Sequence, residues 1–241
     1  MKTTILTLAL LLSQMTMKSQ SVHLISALGC DSSIYSRLSL DQSIQVNYVD
    51  WLKPLKKESL EEYCDRLIAE NHITSGDIVI GTSFGGIVAS MISVKVNPKQ
   101  TILISSISRM DEKPEKFRFM QIFRCHKIIP KFLMDEPALT IGNCFGKVSD
   151  EERAFLSEMI RRNDVDLIAW SVDQIMRFDN MTEPANLYKI NGLQDKVFHA
   201  HHIESDFILD GTHLMVYNMP EEVSSIINSL IREEGSLAMV P

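Results

Sequence analysis

The chain has 241 residues and a formal net charge of −7, and 45% of its residues are hydrophobic. This length suits one large α/β domain with an excursion and is short for two independent domains. The acidic balance disfavours a nucleic-acid-binding protein, which needs a basic face, and four cysteines without C-x-x-C spacing are too few for a disulfide scaffold and disfavour a zinc site.

Residues 1–20 have the pattern of a secretory signal peptide. Lys2 precedes an apolar run over residues 5–12, which is too short to cross a bilayer. The usual small-residue cleavage site is missing, since cleavage after Gln20 would place Lys18 at the −3 position. We therefore expect no stable membrane span.

The true start of the protein stays open at this point. If residues 1–20 are a signal peptide, the protein is exported to the periplasm or secreted, and Cys125 and Cys144 could form a disulfide. If translation starts at Met17, the protein is cytoplasmic.

From residue 22 onward, predicted strands alternate with predicted helices. Short β-branched and apolar runs predict strands at residues 22–26, 43–49, 77–81, 101–105, 186–191 and 205–209. Apolar spacing predicts helices at residues 59–71, from 84 onward, and at 150–162, 165–177 and 220–232. This alternation predicts an α/β fold with a mostly parallel sheet flanked by helices, over one domain at residues 21–241.

The alternation is interrupted by an insertion at about residues 110–180. Its first part, residues 110–146, carries more apolar side chains than one helix face needs, with Pro114, Pro130 and Pro137 between them. Two interpretations stay open: an ordinary packed helical pair, or a helical cap over a pocket.

A tight corner at residues 81–85, with the sequence GTSFG, follows the third predicted strand and opens a helix. A serine hydroxyl is a weak nucleophile until an adjacent base takes its proton, so it must protrude where a histidine can reach it. A sharp strand-to-helix turn exposes Ser83 in this way, and Gly81 and Gly85 permit the crowded backbone. The helix N-terminus beyond Ser83 supplies backbone N–H groups for a developing oxyanion.

An acid and a base are expected at the same edge of the sheet. Asp195 follows the strand that ends at Asn191, and His213 follows the strand that ends near Leu209. The chain order serine, acid, histidine is the one expected for this turn. Asp179 and Asp210 stay open as alternative acids, and Asp31 could instead help to position the first loop.

These motifs resemble the α/β-hydrolase superfamily, and the resemblance extends over nearly the whole chain from Val22 onward. It is carried by the corner GTSFGG, the acid loop NGLQDKVF and the histidine loop DGTHLM. The first loop, SALGCDSSIY, resembles the H-G-x-G segment of many members. By that match, the backbone N–H groups of Leu28 and Phe84 form the oxyanion hole, and the insertion is a cap.

The chain departs from the family pattern at three places. Ser26 and Ala27 stand where the family often has His-Gly, and Asn191 stands where the acid loop often begins with His. Backbone N–H donation survives these changes. The two leading strands of larger relatives are absent, so the expected fold is reduced at its N-terminus.

A histidine-rich stretch could suggest a metal site. His199, His201 and His202 lie close together, with Glu204 and Asp206 nearby. No matching ligand set stands elsewhere in the sequence, so we expect no metal here and a solvated loop or helix instead.

The sequence thus predicts a serine hydrolase that acts on a small ester or related acyl substrate through Ser83, His213 and Asp195, without a cofactor. Carboxylesterase is the leading activity; thioester, amide and C–C bond hydrolysis stay open. The alternatives are a non-catalytic ligand-binding protein on the same scaffold, and an exported interaction protein. The predicted partner is a small molecule, not a nucleic acid, and the sequence does not predict the oligomeric state.

Overall fold

A sheet of six parallel strands lies at the centre of the computed structural model, which describes residues 21–117, 145 and 148–237. The strands are β1 (Ser21–Ile25), β2 (Gln45–Val49), β3 (Ile78–Thr82), β4 (Gln100–Ile104), β5 (Leu187–Gly192) and β6 (Phe207–Leu209). Their order across the sheet is β2-β1-β3-β4-β5-β6, and every neighbouring pair is parallel. The predicted α/β class with a parallel sheet is confirmed.

Several sequence-based predictions lie outside the described residues. These are the signal peptide at residues 1–20, the cysteines Cys125 and Cys144, and residues 118–144 of the predicted cap.

Helices cover both faces of the sheet. They are α1 (Leu60–Asn71), α2 (Phe84–Val96), α3 (Asp150–Arg162), α4 (Val165–Arg177), α5 (Met215–Asn218) and α6 (Pro220–Leu237). Ser59 and Ser149 begin α1 and α3 with capping boxes, in which the serine side chain accepts from the backbone N–H three residues on.

The apolar side chains of the central strands alternate between two cores. Ile78 and Ile80 of β3 pack in one core, together with α6 residues such as Ile227. Val79, which points to the other face, packs with Leu67 and other apolar side chains of α1 and α2. All five residues of β3 are buried, as expected for a parallel strand covered on both faces.

The predicted boundaries differ most at the second strand, the last strand and the last helix; β2 starts at Gln45 instead of Ser43. The last strand was predicted from Ser205, but β6 starts at Phe207. Asp206, the residue before β6, contacts β5 through its side chain: its carboxylate accepts a hydrogen bond from the backbone N–H of Lys189 at 2.8 Å. The last helix continues to Leu237, five residues beyond the predicted end at Arg232.

The parallel topology brings the ends of β3, β5 and β6 to one edge of the sheet. Ser83, Asp195 and His213 each follow one of these strands and therefore lie near this edge. Within the described ranges, no helix has both the length and the apolar character that a membrane span requires.

Candidate active site

Ser83 occupies the corner between β3 and α2 in a strained backbone conformation. Its φ of 55° and ψ of −121° are rarely adopted by a residue with a side chain. The corner is held on both sides: the Ser83 N–H donates to the Ile104 carbonyl at 3.0 Å, and the Ser106 hydroxyl donates to the Ser83 carbonyl at 2.6 Å. Such strain, about 1–3 kcal/mol, persists where the surroundings fix it and marks a candidate functional site.

The glycines on either side of Ser83 are sterically required. A Cβ on Gly81 would lie 2.2 Å from the carbonyl oxygen of Gly85, and a Cβ on Gly85 would lie 2.2 Å from that of Ser26. The predicted reason for these glycines, a crowded backbone, agrees with this packing. The corner is thereby pressed directly against the end of β1.

Ser83, His213 and Asp195 are joined by two hydrogen bonds. The Nε2 atom of His213 lies 2.8 Å from Ser83 Oγ, and its Nδ1 atom lies 2.8 Å from Asp195 Oδ2. An ionised carboxylate can only accept, so the Nδ1 atom carries the proton and the Nε2 atom is left to accept from the serine hydroxyl. This is the order that proton transfer from the serine requires.

Asp195 is buried and held in place by the backbone. Its side chain is fully excluded from solvent, and its second oxygen accepts from the N–H groups of Val197 at 2.7 Å and Phe198 at 2.9 Å. The acid loop therefore orients the carboxylate that orients His213.

The alternative acids lie elsewhere. Asp210 accepts a hydrogen bond from the Gln194 amide at 3.0 Å, and Asp179 is exposed after α4. Neither contacts His213 in the described part of the chain. Asp31 caps the 3-10 helix Ser32–Tyr35 by accepting from the Ser33 N–H at 2.9 Å, in agreement with a role in positioning the first loop.

Aromatic rings shield the histidine. The rings of Phe198 and Phe145 lie 5.9 Å and 5.8 Å from the His213 ring, and Phe117 packs edge-on against Phe198. Only 3% of His213 is exposed. Exclusion of water strengthens the electrostatic interactions between the side chains.

The two predicted oxyanion donors lie on either side of the close contact between β1 and α2. Phe84 is the first residue of α2, so its N–H has no acceptor within the helix. Leu28 lies in the turn after β1, in which the Cys30 N–H donates to the Ala27 carbonyl at 3.0 Å. Among the described residues, none accepts a hydrogen bond from the backbone N–H of Leu28 or Phe84.

An aromatic cluster packs around Phe84. The Trp51 ring stacks on the Phe84 ring at 5.5 Å, and the Trp170 ring meets it edge-on at 6.3 Å. Tyr63 contacts both tryptophans. Trp170 therefore supports the residue that follows Ser83.

Burial affects two other reactive groups near the sheet. It raises the pKa of the Tyr35 hydroxyl, which donates to the Ile25 carbonyl at 2.6 Å and lies 3.0 Å from the Thr82 hydroxyl. It also raises the pKa of the Cys64 thiol. Neither group is suited to act as a nucleophile, since each is held in its protonated form.

The histidine-rich stretch forms a surface cluster. The His199 and His201 rings stack at 4.8 Å, and the His202 ring lies 6.2 Å from that of His199. Over the described ranges, no three His, Cys, Asp or Glu side chains are arranged to hold a metal ion.

Sequence reasoning missed three residues that hold the site. Ser106 fixes the Ser83 carbonyl, Trp51 stacks on Phe84, and Asn163 donates to the Gly29 carbonyl of the first loop at 2.9 Å. None belongs to a local motif, so only the three-dimensional contacts reveal them.

Comparison with known proteins adds information on the fold. No family model and no curated protein matches the sequence. Among solved structures, a thermophilic esterase from Thermogutta terrifontis matches with a TM-score of 0.68 and 19% identity, over 89% of this chain and 90% of the esterase. A structure from a study of carboxylesterases of Nitrososphaera gargenis matches with a TM-score of 0.70 and 18% identity, over 91% and 92% of the two chains.

An enol-lactonase from Burkholderia xenovorans matches with a TM-score of 0.70 and 15% identity, over 91% of this chain and 94% of the lactonase. These likenesses cover nearly all of each chain, and their sheets and flanking helices correspond to those described above. The chain has the α/β-hydrolase fold.

Proposed function

We propose that the protein is a serine hydrolase that cleaves a small ester or related acyl substrate. One observation carries the proposal: a buried, hydrogen-bonded series of Ser83, His213 and Asp195, with the serine on a strained corner. A structural serine needs neither the strain nor a histidine at 2.8 Å that is itself oriented by a carboxylate.

In the proposed mechanism, Ser83 Oγ attacks the substrate carbonyl carbon while His213 Nε2 takes the hydroxyl proton. The N–H groups of Phe84 and Leu28 stabilise the negative charge on the carbonyl oxygen. His213 then gives the proton to the leaving alcohol, and an acyl-Ser83 ester remains. Water attacks this ester with His213 again as the base, which releases the acid. Asp195 holds the imidazole and stabilises its charged form. These steps need no cofactor.

The structural neighbours support an acyl substrate. Their titles name esterases, carboxylesterases and an enol-lactonase, all of which cleave a carbonyl–oxygen bond. We therefore place simple carboxylic esters and lactones first, ahead of thioesters, amides and C–C bonds. In this proposal, α3 and α4 of the described second half of the insertion contribute to a cap over the acyl site.

Labelling with a fluorophosphonate probe tests the proposal, because the probe reacts only with an activated serine. We expect the full chain to be labelled, and Ser83→Ala and His213→Ala to lose both labelling and ester hydrolysis, on the order of a million-fold in kcat. Ser93→Ala is the matched control. Ser93 is buried in α2, and its hydroxyl has no hydrogen-bond partner among the described residues.

Loss of labelling in the two variants, but not in Ser93→Ala, would establish the proposed nucleophile and base. Absence of labelling in the folded wild type would overturn the proposal in favour of a non-catalytic ligand-binding protein. If the wild type is labelled, a screen of acyl esters of increasing length, together with lactones and thioesters, would define its substrate.

A further inference from the structure

The turn after β1 links the proposed oxyanion donor Leu28 to its surroundings through peptide groups. Gly29 has a φ of +71°, and the Cys30 N–H donates to the Ala27 carbonyl at 3.0 Å. Glycine suits this backbone conformation because a side chain would be strained there. The Ala27 carbonyl belongs to the same planar peptide group as the Leu28 N–H, so fixing one fixes the other.

The side chain of Asn163 holds the other end of this turn. Its amide nitrogen Nδ2 lies 2.9 Å from the carbonyl oxygen of Gly29 and 2.9 Å from that of Met159. Both neighbours are acceptors, so only the NH2 end of the amide can face them. Asn163 directly follows α3, in the second half of the insertion, and lies 134 positions from Gly29.

A continuous series of hydrogen bonds therefore leads from Asn163 to Leu28. The Asn163 amide donates to the Gly29 carbonyl, which shares a peptide group with the Cys30 N–H. That N–H donates to the Ala27 carbonyl, which shares a peptide group with the Leu28 N–H. Each bond polarises the next, because a peptide group whose oxygen accepts a hydrogen bond becomes a stronger donor at its nitrogen.

We propose that Asn163 is a positioning residue for the oxyanion hole, which orients and polarises the Leu28 N–H through the Gly29–Cys30 and Ala27–Leu28 peptide groups. The inference rests on the proposed function and deepens it. It makes the insertion part of the machinery for stabilising the oxyanion, in addition to any role as a cover.

Other contacts of the same helix end support this role. The guanidinium of Arg162 lies 3.5 Å from the Asp31 carboxylate, and a Cβ on Gly29 would lie 3.7 Å from Cγ1 of Ile160, at ordinary contact distance. Three residues of the last turn of α3 and its C-cap thus meet the loop that carries Leu28.

The next peptide group is held from a different direction. The Cys30 carbonyl accepts from the Ser26 hydroxyl at 2.9 Å and from the Trp51 indole at 3.2 Å. Successive carbonyls of the loop therefore have separate side-chain donors, and Asn163 is the donor that comes from the insertion.

Kinetics of Asn163→Asp and Asn163→Ala test the inference. The first variant keeps the size of the side chain and removes both N–H donors, and the second removes the group altogether. Asn71→Ala is a matched control: Asn71 ends α1 with the same bond to the carbonyl four residues before, at 2.9 Å to Leu67, and lies at the opposite edge of the sheet.

With an activated acetate ester, we expect both Asn163 variants to lower kcat about 10- to 50-fold with little change in KM. This is less than the about 100- to 1000-fold effect of deleting an oxyanion donor outright, because the Leu28 N–H is displaced but still present. A trifluoromethyl ketone, whose adduct carries the oxyanion, should bind more weakly by a similar factor. Asn71→Ala should change neither quantity.

The outcomes separate the two proposals. If wild type is labelled by the fluorophosphonate and hydrolyses esters, but a folded Asn163 variant keeps wild-type kcat and inhibitor affinity, the positioning role is wrong and the hydrolase proposal stands. If wild type is not labelled, both fail. Should Asn163→Asp not fold, Asn163→Ala decides, with thermal unfolding measured for each variant so that kcat is referred to folded protein.

Discussion

Gly85 shows how closely single residues are packed around Ser83. An alanine Cβ there would lie 2.2 Å from the Ser26 carbonyl oxygen and 2.3 Å from that of Ile25, both of them backbone atoms that cannot rotate away. We expect Gly85→Ala to separate α2 from β1 and to lower the free energy of unfolding by about 1–3 kcal/mol or more. It should also reduce ester hydrolysis at least tenfold, since the proposed nucleophile Ser83 and the loop of the proposed oxyanion donor Leu28 lie on opposite sides of this contact.

Gly76→Ala is the matched control for this substitution. Its Cβ would lie 3.9 Å from the nearest atom, Thr74 Oγ1, so we expect a change of at most about 1 kcal/mol, towards greater stability. Urea denaturation and ester hydrolysis of the two variants check the prediction. Equal stability and activity in both would contradict the close packing at Gly85.

The site residues that could be predicted from the sequence are those whose role is indicated by a few consecutive residues around them. The corner at residues 81–85 is recognisable because the strand, the turn and the helix follow directly, and Asp195 and His213 because each follows a strand. Asn163 could not be predicted, since an asparagine after a helix has many uses and its acceptor on Gly29 is 134 positions away. Leu28 was expected only through the family resemblance.

At the scale of elements, a buried group of ion pairs joins the two ends of the insertion to β5, and these ends are called the base of the insertion below. Lys189 of β5 lies 2.5 Å from Glu112, just after β4, and 2.6 Å from Glu183, just before β5. Lys189 and Glu112 are about 95% buried, with exposed side-chain fractions of 5% and 4%. The chain thus leaves and re-enters the sheet at one cluster, in which Glu112 and Lys189 are 77 positions apart and cannot be paired from a local pattern.

Removing the cation of this cluster should be costly. We expect Lys189→Ala to lower the free energy of unfolding by about 3–5 kcal/mol, because the buried Glu112 carboxylate loses its cation and keeps only hydrogen bonds from Ser108 and the Arg109 N–H. Lys95→Ala provides the comparison: Lys95 contacts Asp65 at 2.6 Å, but Asp65 is 58% exposed, so its loss should cost about 0–1 kcal/mol.

Urea denaturation of the two lysine variants measures the difference. A Lys189→Ala protein no less stable than Lys95→Ala would show that Glu112 is not held in a desolvated pair. A Lys189→Met, Glu112→Gln double variant should recover part of the loss, since it removes both buried charges together.

For the whole molecule, several carboxyl groups link stability to pH. Four in the described ranges have a pKa below the ordinary value: Asp41, Glu62, Asp111 and Glu183. The first three are lowered mainly by hydrogen bonds from Ser43, Ser59 and Arg109 respectively. At Glu183, burial acts to raise the pKa, but hydrogen bonds from Lys189 and Ser108 and the nearby positive charges outweigh it.

These shifts predict that the folded protein loses stability in acid. A carboxyl group with a lower pKa in the folded chain binds fewer protons there than in the unfolded chain, so stability rises with pH. The contribution of Glu183 is complete above its unfolded pKa of about 4.3 and is lost as the pH falls through its lower folded value. We therefore expect the urea concentration at the unfolding midpoint to decrease as the pH is lowered from about 5 to about 3, the range around the unfolded pKa.

Glu183→Gln isolates the share of this acid sensitivity that belongs to the base of the insertion. Since glutamine does not titrate, the variant should start less stable at pH 6 and should lose less stability than wild type on acidification. Glu70→Gln is the control, because Glu70 is exposed and no described residue donates a hydrogen bond to it; it should follow the wild-type curve. If Glu183→Gln and Glu70→Gln lose stability in parallel, acid unfolding begins elsewhere, and the cluster around Lys189 does not control the stability of the whole fold.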